Sequence, residues 1–182
     1  MSNKTLQYIL GYIIGGSLVL IIIPYGLSRA SQSFDHLIGI QLIPIPSLRL
    51  VVAAILLLLG LLFGVWSNVV QNTVGKGGPL EFVNIEVSPK TQNLVVTGPY
   101  RYTRNPMLFG TCVLYCGVAT YLNSIAALAI VVLFTVLMLV FVKLTEERRL
   151  LKDFGSDYEE YRQRVSMFFP WVQKQSGALR SQ

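Results

Sequence analysis

The residues best suited to chemistry stand at the edges of apolar runs. Glu146-Glu147 follows the uncharged stretch Ile125–Val142 and Lys143. A carboxylate pair at the end of a membrane helix is costly to bury unless a cation faces it. The neighbours one turn on, Leu150 and Leu151, supply none. A small cationic ligand or Arg104 is the better expected partner. Arg101 and Arg104 lie just before Asn105-Pro106, which opens another apolar run. Asn is a preferred N-cap and Pro is favoured at the first helical position. A helix start there presents N–H donors and a positive dipole end, which suit an anionic group. Tyr100, next to these arginines, offers a ring face to a cation.

Several other chemistries are excluded. The sole histidine, His36, lies between the first two apolar runs, far from the carboxylates in sequence. Cys112 and Cys116 stand one helical turn apart with no histidine or third cysteine near, so they read as packing residues rather than metal ligands. Gly75–Leu80 (GKGGPL) lacks P-loop spacing and reads as a turn before the alternating piece Glu81–Val87. No glycine fingerprint follows a strand, which argues against a Rossmann nucleotide domain. Neither zinc-finger spacing nor an aromatic RNA-binding motif occurs, so neither metal nor nucleic acid is an expected partner.

Membrane helices are the elements that must position these groups. The chain has 182 residues, 53% of them hydrophobic and only 13% charged, with a formal charge of +6. An ordinary soluble domain carries about twice that charged fraction. Four stretches approach the ~20 apolar residues a bilayer requires: Leu6–Leu27, Leu48–Val70, Met107–Leu122 and Ile125–Val142. Gly11, Gly15 and Gly16 in the first, and Gly110 and Gly117 in the third, permit close helix approach. Only Asn123-Ser124 separates the last two stretches, which predicts a tight antiparallel hairpin. The run Leu37–Pro46, broken by Pro44 and Pro46, is expected as an interfacial or re-entrant piece, leaving open a fifth span. The expected fold is therefore an all-α integral membrane protein of four or five transmembrane helices, with a C-terminal cytosolic helical cap and no Rossmann fold.

With the amino terminus in the cytoplasm, only Arg29 and Arg49 of the 15 Lys and Arg fall on the far side. That bias fits the positive-inside rule. It puts the loop 71–104 and the tail 143–182 on one face, so residues of both can build one site. The expected organisation is a single membrane domain, 1–182. It comprises N-terminal spans (1–70), a ligand-binding loop (71–104), a helical hairpin (105–142) and an interfacial helical tail (143–182). Within the tail, Gly155 is expected to stop one helix and Ser156-x-x-Glu159 to cap the next. Tyr158, Tyr161 and Val165 form an apolar stripe on what reads as a surface helix lying on the membrane. Phe168, Phe169 and Trp171 read as interfacial anchors.

Two segments together carry a family resemblance. GPYRYTRNPMLFG (Gly98–Gly110) resembles the G-x-Y-x-x-x-R-H-P-x-Y-x-G signature of isoprenylcysteine carboxyl methyltransferases and related phospholipid methyltransferases. EERRLLKDFGSDYEEYRQRVSMFFP (Glu146–Pro170) resembles that family's E-E-x-x-L-x-x-x-F-G-x-x-Y-x-x-Y tail. The likeness covers residues 92–171, flanking the apolar hairpin. It implies S-adenosylmethionine as methyl donor, with S-adenosylhomocysteine as product. It also implies a membrane location with the active site facing the cytoplasm. The partners it implies are the lipid bilayer and a prenylated cysteine or lipid-like methyl acceptor. By resemblance, Gln92, Asn93, Leu94, Val95, Tyr100, Asn105, Pro106, Met107, Leu108 and Glu146 bind the cofactor, and Arg104 and Glu147 serve catalysis. The family's usual histidine is Asn105 here, and its usual tyrosine is Leu108.

These residue types suit that cofactor. A glutamate answers its ammonium or ribose diol, the helix-start donors its carboxylate, and Leu94, Val95 and Leu108 its adenine. Tyr100 faces the sulfonium. An ionised carboxylate acceptor needs no general base, whereas an ammonium acceptor must first lose a proton. With His36 on the opposite face, carboxyl methylation of an isoprenylcysteine-like substrate is the expected activity. The competing readings are a phospholipid or lipid-amine N-methyltransferase, a sterol-reductase-like enzyme, and a non-catalytic membrane scaffold.

Overall fold

The computed structural model describes residues 9, 13–76 and 92–171. The Glu81–Val87 piece, the GKGGPL turn beyond Lys76, Gly11 and the start of the first span lie outside the described residues. Within them the structure is helical, with no strand. Helix α1 is Ile13–Ile38, α2 is Pro46–Val70, α3 is Pro106–Leu122, α4 is Ile125–Leu144 and α5 is Glu146–Arg164. Among the described residues, three helices are long and apolar enough to cross a membrane: Ile13–Ile38, Pro46–Gly75 and the one beginning at Ile125. The fourth expected span is the shorter apolar helix Pro106–Leu122.

Helix α1 runs well past the expected end at Leu27. Pro24 would break an ordinary helix interior, but the backbone widens into a π turn at Leu18–Ile22 just before it. A π turn pairs each carbonyl with the N–H five residues on. Val19 would pair with position 24, and proline has no N–H to give. The Tyr115 hydroxyl of α3 donates to the Val19 carbonyl instead, at 3.2 Å. The remainder of α1 reaches Gly39, which ends it in the left-handed conformation at φ +68°. The expected interfacial piece shrinks accordingly to the irregular residues 39–45.

The α3–α4 hairpin forms as the two-residue separation predicts. Asn123 takes the left-handed conformation at φ +55°, and the Ser124 side chain accepts from the Ala127 N–H at 2.9 Å. Asp35, near the end of α1, accepts from the Ala126 N–H at 3.1 Å, a carboxylate at a helix start. Exposed His36 therefore sits at this end of the bundle, beside the hairpin turn. Helices α2 and α3 press together through glycine. A Cβ on Gly60 would lie 2.5 Å from the Leu114 nitrogen, and one on Gly110 would lie 2.8 Å from the Gly64 nitrogen. Gly117 meets Leu57 in the same way. Gly16, in contrast, faces open space. The core joins Leu27, Leu114, Tyr115, Ala119, Ala127 and Val131, while Leu58, Leu62, Leu133 and Leu137 point outward. Apolar residues on both the inside and the outside are what a bilayer solvent requires.

Candidate cofactor site

The other end of the bundle holds the charged groups. Helix α2 does not stop at Val70: it continues as a π turn, Gln71–Gly75. The chain returns to this turn at 92–95. Gln92 and Asn93 donate backbone N–H groups to the Gly75 carbonyl at 2.8 and 3.3 Å, and the Asn93 amide donates to the Val74 carbonyl at 3.0 Å. A Cβ at position 75 would lie 2.8 Å from a Val95 methyl, so any larger residue there would have to displace Val95. Gly98, at φ +60°, turns the chain into the short 3-10 helix Gly98–Arg101. Arg104 and Asn105 then lead into α3.

Helix α5 folds back over this corner. It breaks from α4 at Thr145 and kinks at Gly155, whose φ of +51° disfavours any other residue. The break falls where the sequence places the stop. The apolar stripe is not a face laid on a membrane, however: Tyr158 and Tyr161 are only 1% and 8% exposed. The Tyr161 hydroxyl donates to the Tyr100 carbonyl at 2.6 Å. Arg104 forms an ion pair with Glu147 and donates to the Tyr158 hydroxyl at 3.4 Å. After α5 the chain straps back across residues 102–105. The Arg104 N–H donates to the Ser166 carbonyl at 2.9 Å, and the Trp171 N–H to the Tyr102 carbonyl at 3.0 Å.

Asn105 occupies the N-cap position of α3, but its side chain does not cap the helix. Its amide donates to the Met167 carbonyl at 2.9 Å, tying the strap to the helix start. Phe168 packs on Phe109, with ring centroids 5.6 Å apart, and so differs from the interfacial role expected of it. Phe169 and Trp171 remain 72% and 70% exposed.

A cavity of about 260 Å³ lies where these segments meet. That is close to the lower bound of small-molecule sites, about 300 Å³. Of the twelve residues singled out from sequence, eleven line it: Asn93, Leu94, Val95, Tyr100, Arg104, Asn105, Pro106, Met107, Leu108, Glu146 and Glu147. Gln92 does not, since it is exposed and tied to Gly75 through its backbone. Sequence reasoning missed Gln71, Met138, Phe141, Val142, Arg149, Leu150, Tyr158 and Tyr161. The tyrosines had a usable signal, as two phenols one turn apart after a glycine break. Gln71 was hidden by ending the second span at Val70.

The electrostatics follow from the enclosure. Burial pushes the Tyr100 phenol well above its usual range, and the nearby Glu146 carboxylate pushes it further. Tyr161 is raised by burial and by Tyr100, and Tyr158 by burial and by Glu147. All three hydroxyls therefore stay protonated as hydrogen-bonding groups. The donor set matches a zwitterionic nucleoside. Glu146 and Glu147 line the cavity, and so do Met107 and Leu108 in the first turn of α3, where backbone N–H groups have no partner within the helix. Leu94 and Val95 supply an apolar strip. Among the described residues no cluster of three metal-ligating side chains occurs.

The described residues form a bundle of apolar helices, with a largely apolar cavity that carries charged side chains where its loop and tail converge. Residues 48–157 match the phospholipid methyltransferase family. The chain belongs to this family, which also holds the isoprenylcysteine carboxyl methyltransferases. No curated protein matches the chain. The family makes the protein a membrane methyltransferase, with S-adenosylmethionine the methyl donor the family implies.

Proposed function

We propose that the cavity binds S-adenosylmethionine and that the enzyme methylates the carboxylate of a C-terminal isoprenylated cysteine or a similar prenyl-cysteine, working from the cytoplasmic face. The observation that carries this reading is the distribution of proton-handling groups. The sole histidine lies beside the hairpin turn at the far end, and Glu147 is held by Arg104. A carboxylate acceptor is already ionised at neutral pH and needs no base.

In this reading Glu146 faces the cofactor's ammonium or ribose diol, and the α3 helix start holds its carboxylate. Tyr100 places its ring against the sulfonium. When bound, the cofactor supplies a methyl on a cationic sulfur, whose passage to a carboxylate oxygen leaves a neutral thioether and an ester with no proton released. The chain's own contribution is alignment and exclusion of water: Tyr158 and Tyr161 seal the α5 side. Met138, Phe141 and Val142 give the cavity an apolar flank on α4. A prenyl chain reaches the cavity along it from the lipid.

The test uses purified protein in lipid vesicles with methyl-labelled S-adenosylmethionine and a farnesylcysteine substrate. Base-labile methyl ester is the expected product. Base-stable methylamine on phosphatidylethanolamine, with no ester, would replace this reading by lipid-amine methylation. The family is equally consistent with that second reading, in which Glu146 would have to receive the proton.

A further inference from the structure

The strap that follows α5 is tied down through its main chain. The Met167 carbonyl accepts from the Asn105 amide at 2.9 Å and from the Thr103 hydroxyl at 3.3 Å. The Ser166 carbonyl accepts from the Arg104 N–H, and the Trp171 N–H donates to the Tyr102 carbonyl. Two of the strap's large rings, Phe169 and Trp171, nevertheless stay mostly exposed.

Two routes connect these rings to the apolar outside of α2. Phe169 packs edge-on against Phe168, Phe168 against Phe109 and Phe109 against Phe63, with centroids 5.2, 5.6 and 5.1 Å apart. Phe63 in turn lies 6.2 Å from Trp66. Trp171 reaches the same indole through Tyr102, whose ring is 6.4 Å from Trp66. Trp66 stands about one turn before Val70 and shares an outward groove with Leu58, Leu62 and Val65, all exposed. The exposed rings of the strap therefore continue the lipid-facing surface of α2 at the level of Trp66. Chemistry fixes their depth. An irregular backbone keeps polar groups that hydrocarbon cannot satisfy, and water disfavours bare indole and phenyl rings. The boundary between hydrocarbon and headgroups accepts both, and Trp is enriched there.

We propose that Phe169 and Trp171 seat the strap in the headgroup boundary of the leaflet on the cavity's side, and that this lipid contact holds the strap closed over residues 102–105. Lipid thereby becomes part of the site's support. Opening the strap frees Arg104 and Asn105, two residues that line the cavity, from Ser166 and Met167. This surface stands apart from the S-adenosylmethionine reading, and its test needs no ligand.

The experiment uses the full chain in phosphatidylcholine nanodiscs. Trp66→Phe leaves Trp171 the sole tryptophan. Its fluorescence is read with lipids brominated either near the headgroup or near the tail end of the acyl chain. Bromines near the headgroup should quench it more strongly. Absence of quenching by either lipid would overturn the proposal, whether the ring faces water or, as cross-linking between chains would show, a second copy. The second measurement is hydrogen exchange on Trp171→Ser, otherwise unaltered. The indole of Trp171 is mostly exposed and has little packing within the protein to lose. The Arg104 N–H, bonded to the Ser166 carbonyl, reports strap closure. It should exchange about 10-fold faster in the variant, the low end of what burying one large apolar side chain is worth. Amides within α2 and α3 should keep their protection and so report an intact fold. Unchanged exchange at Arg104 would overturn the claim that lipid holds the strap closed.

Discussion

Removing one partner of the Arg104–Glu147 pair should destabilise the protein sharply, while removing both should not. The side chains are 11% and 10% exposed, so each relies on the other for most of its solvation. Breaking a buried pair from one side costs about 3–5 kcal/mol, whereas a well-packed apolar replacement of both is often neutral. The residual exposure places this pair at the lower end, about 3 kcal/mol. For a chain of this size that is a fall in apparent Tm of about 6–12 °C. Glu147→Gln and Arg104→Met should each show it in detergent melts, and the double variant Arg104→Met/Glu147→Leu should recover to within about 1 kcal/mol of the unaltered protein. Glu146→Gln tests ligand binding, and should weaken S-adenosylhomocysteine binding about 10- to 150-fold, the loss of one charge-assisted hydrogen bond. Additive losses in the double variant would refute the coupling between loop and tail. A Glu146→Gln variant that binds normally would refute the division of labour between the two carboxylates.

Three further outcomes are expected. Gly60→Ala places a methyl against the Leu114 and Gly110 backbones and should cost at least 3 kcal/mol or abolish folding. Gly64→Ala, with nothing within 4 Å, should be neutral or stabilising, and parallel melts check the pair. Tyr161→Phe leaves the Tyr100 carbonyl without its donor and should cost about 1–3 kcal/mol, read as a lower Tm and weaker S-adenosylhomocysteine binding. The phenols of Tyr100, Tyr158 and Tyr161 are raised in the folded state, so their contribution is intact below the ordinary tyrosine range and is lost as pH climbs through the raised values. Stability should hold to about pH 10 and decline above it, with ultraviolet titration showing these phenols ionising last; their ionisation near pH 9 in the folded protein would contradict the burial argument.

The features legible in the sequence were those dictated by local chemistry. Asn123-Ser124 announced the hairpin, Gly155 the break in the tail, and Gly110 and Gly117 the faces of close approach. The convergence of loop and tail was legible too, because Arg104 was an expected partner for the Glu146-Glu147 pair, and it pairs with Glu147. What escaped was set by tertiary contact. The length of α1 escaped because its run past Pro24 involves Tyr115 of α3, whose hydroxyl donates to the Val19 carbonyl. Asn105 looks like a capping side chain until Met167 arrives from 62 residues away to accept its amide. The stripe of Tyr158 and Tyr161 looks membrane-bound because periodicity reports an apolar face without saying what covers it. Gln71 looked like the first loop residue because a hydropathy window ends where the apolar run ends, whereas the helix ends five residues later, at Gly75.

The brevity of α3 has a geometric consequence. Seventeen residues rise about 26 Å along a helix axis, several ångströms short of the ~30 Å hydrocarbon slab. A helix that begins at Pro106 and ends in the turn at Asn123 must leave one of its ends sunken, or draw the surrounding leaflet down to meet it. The cavity opens at the Pro106 end. With the sunken end at Pro106, the lipid-borne acceptor of the proposed reaction would meet the cavity at its own depth and need not be hoisted into water.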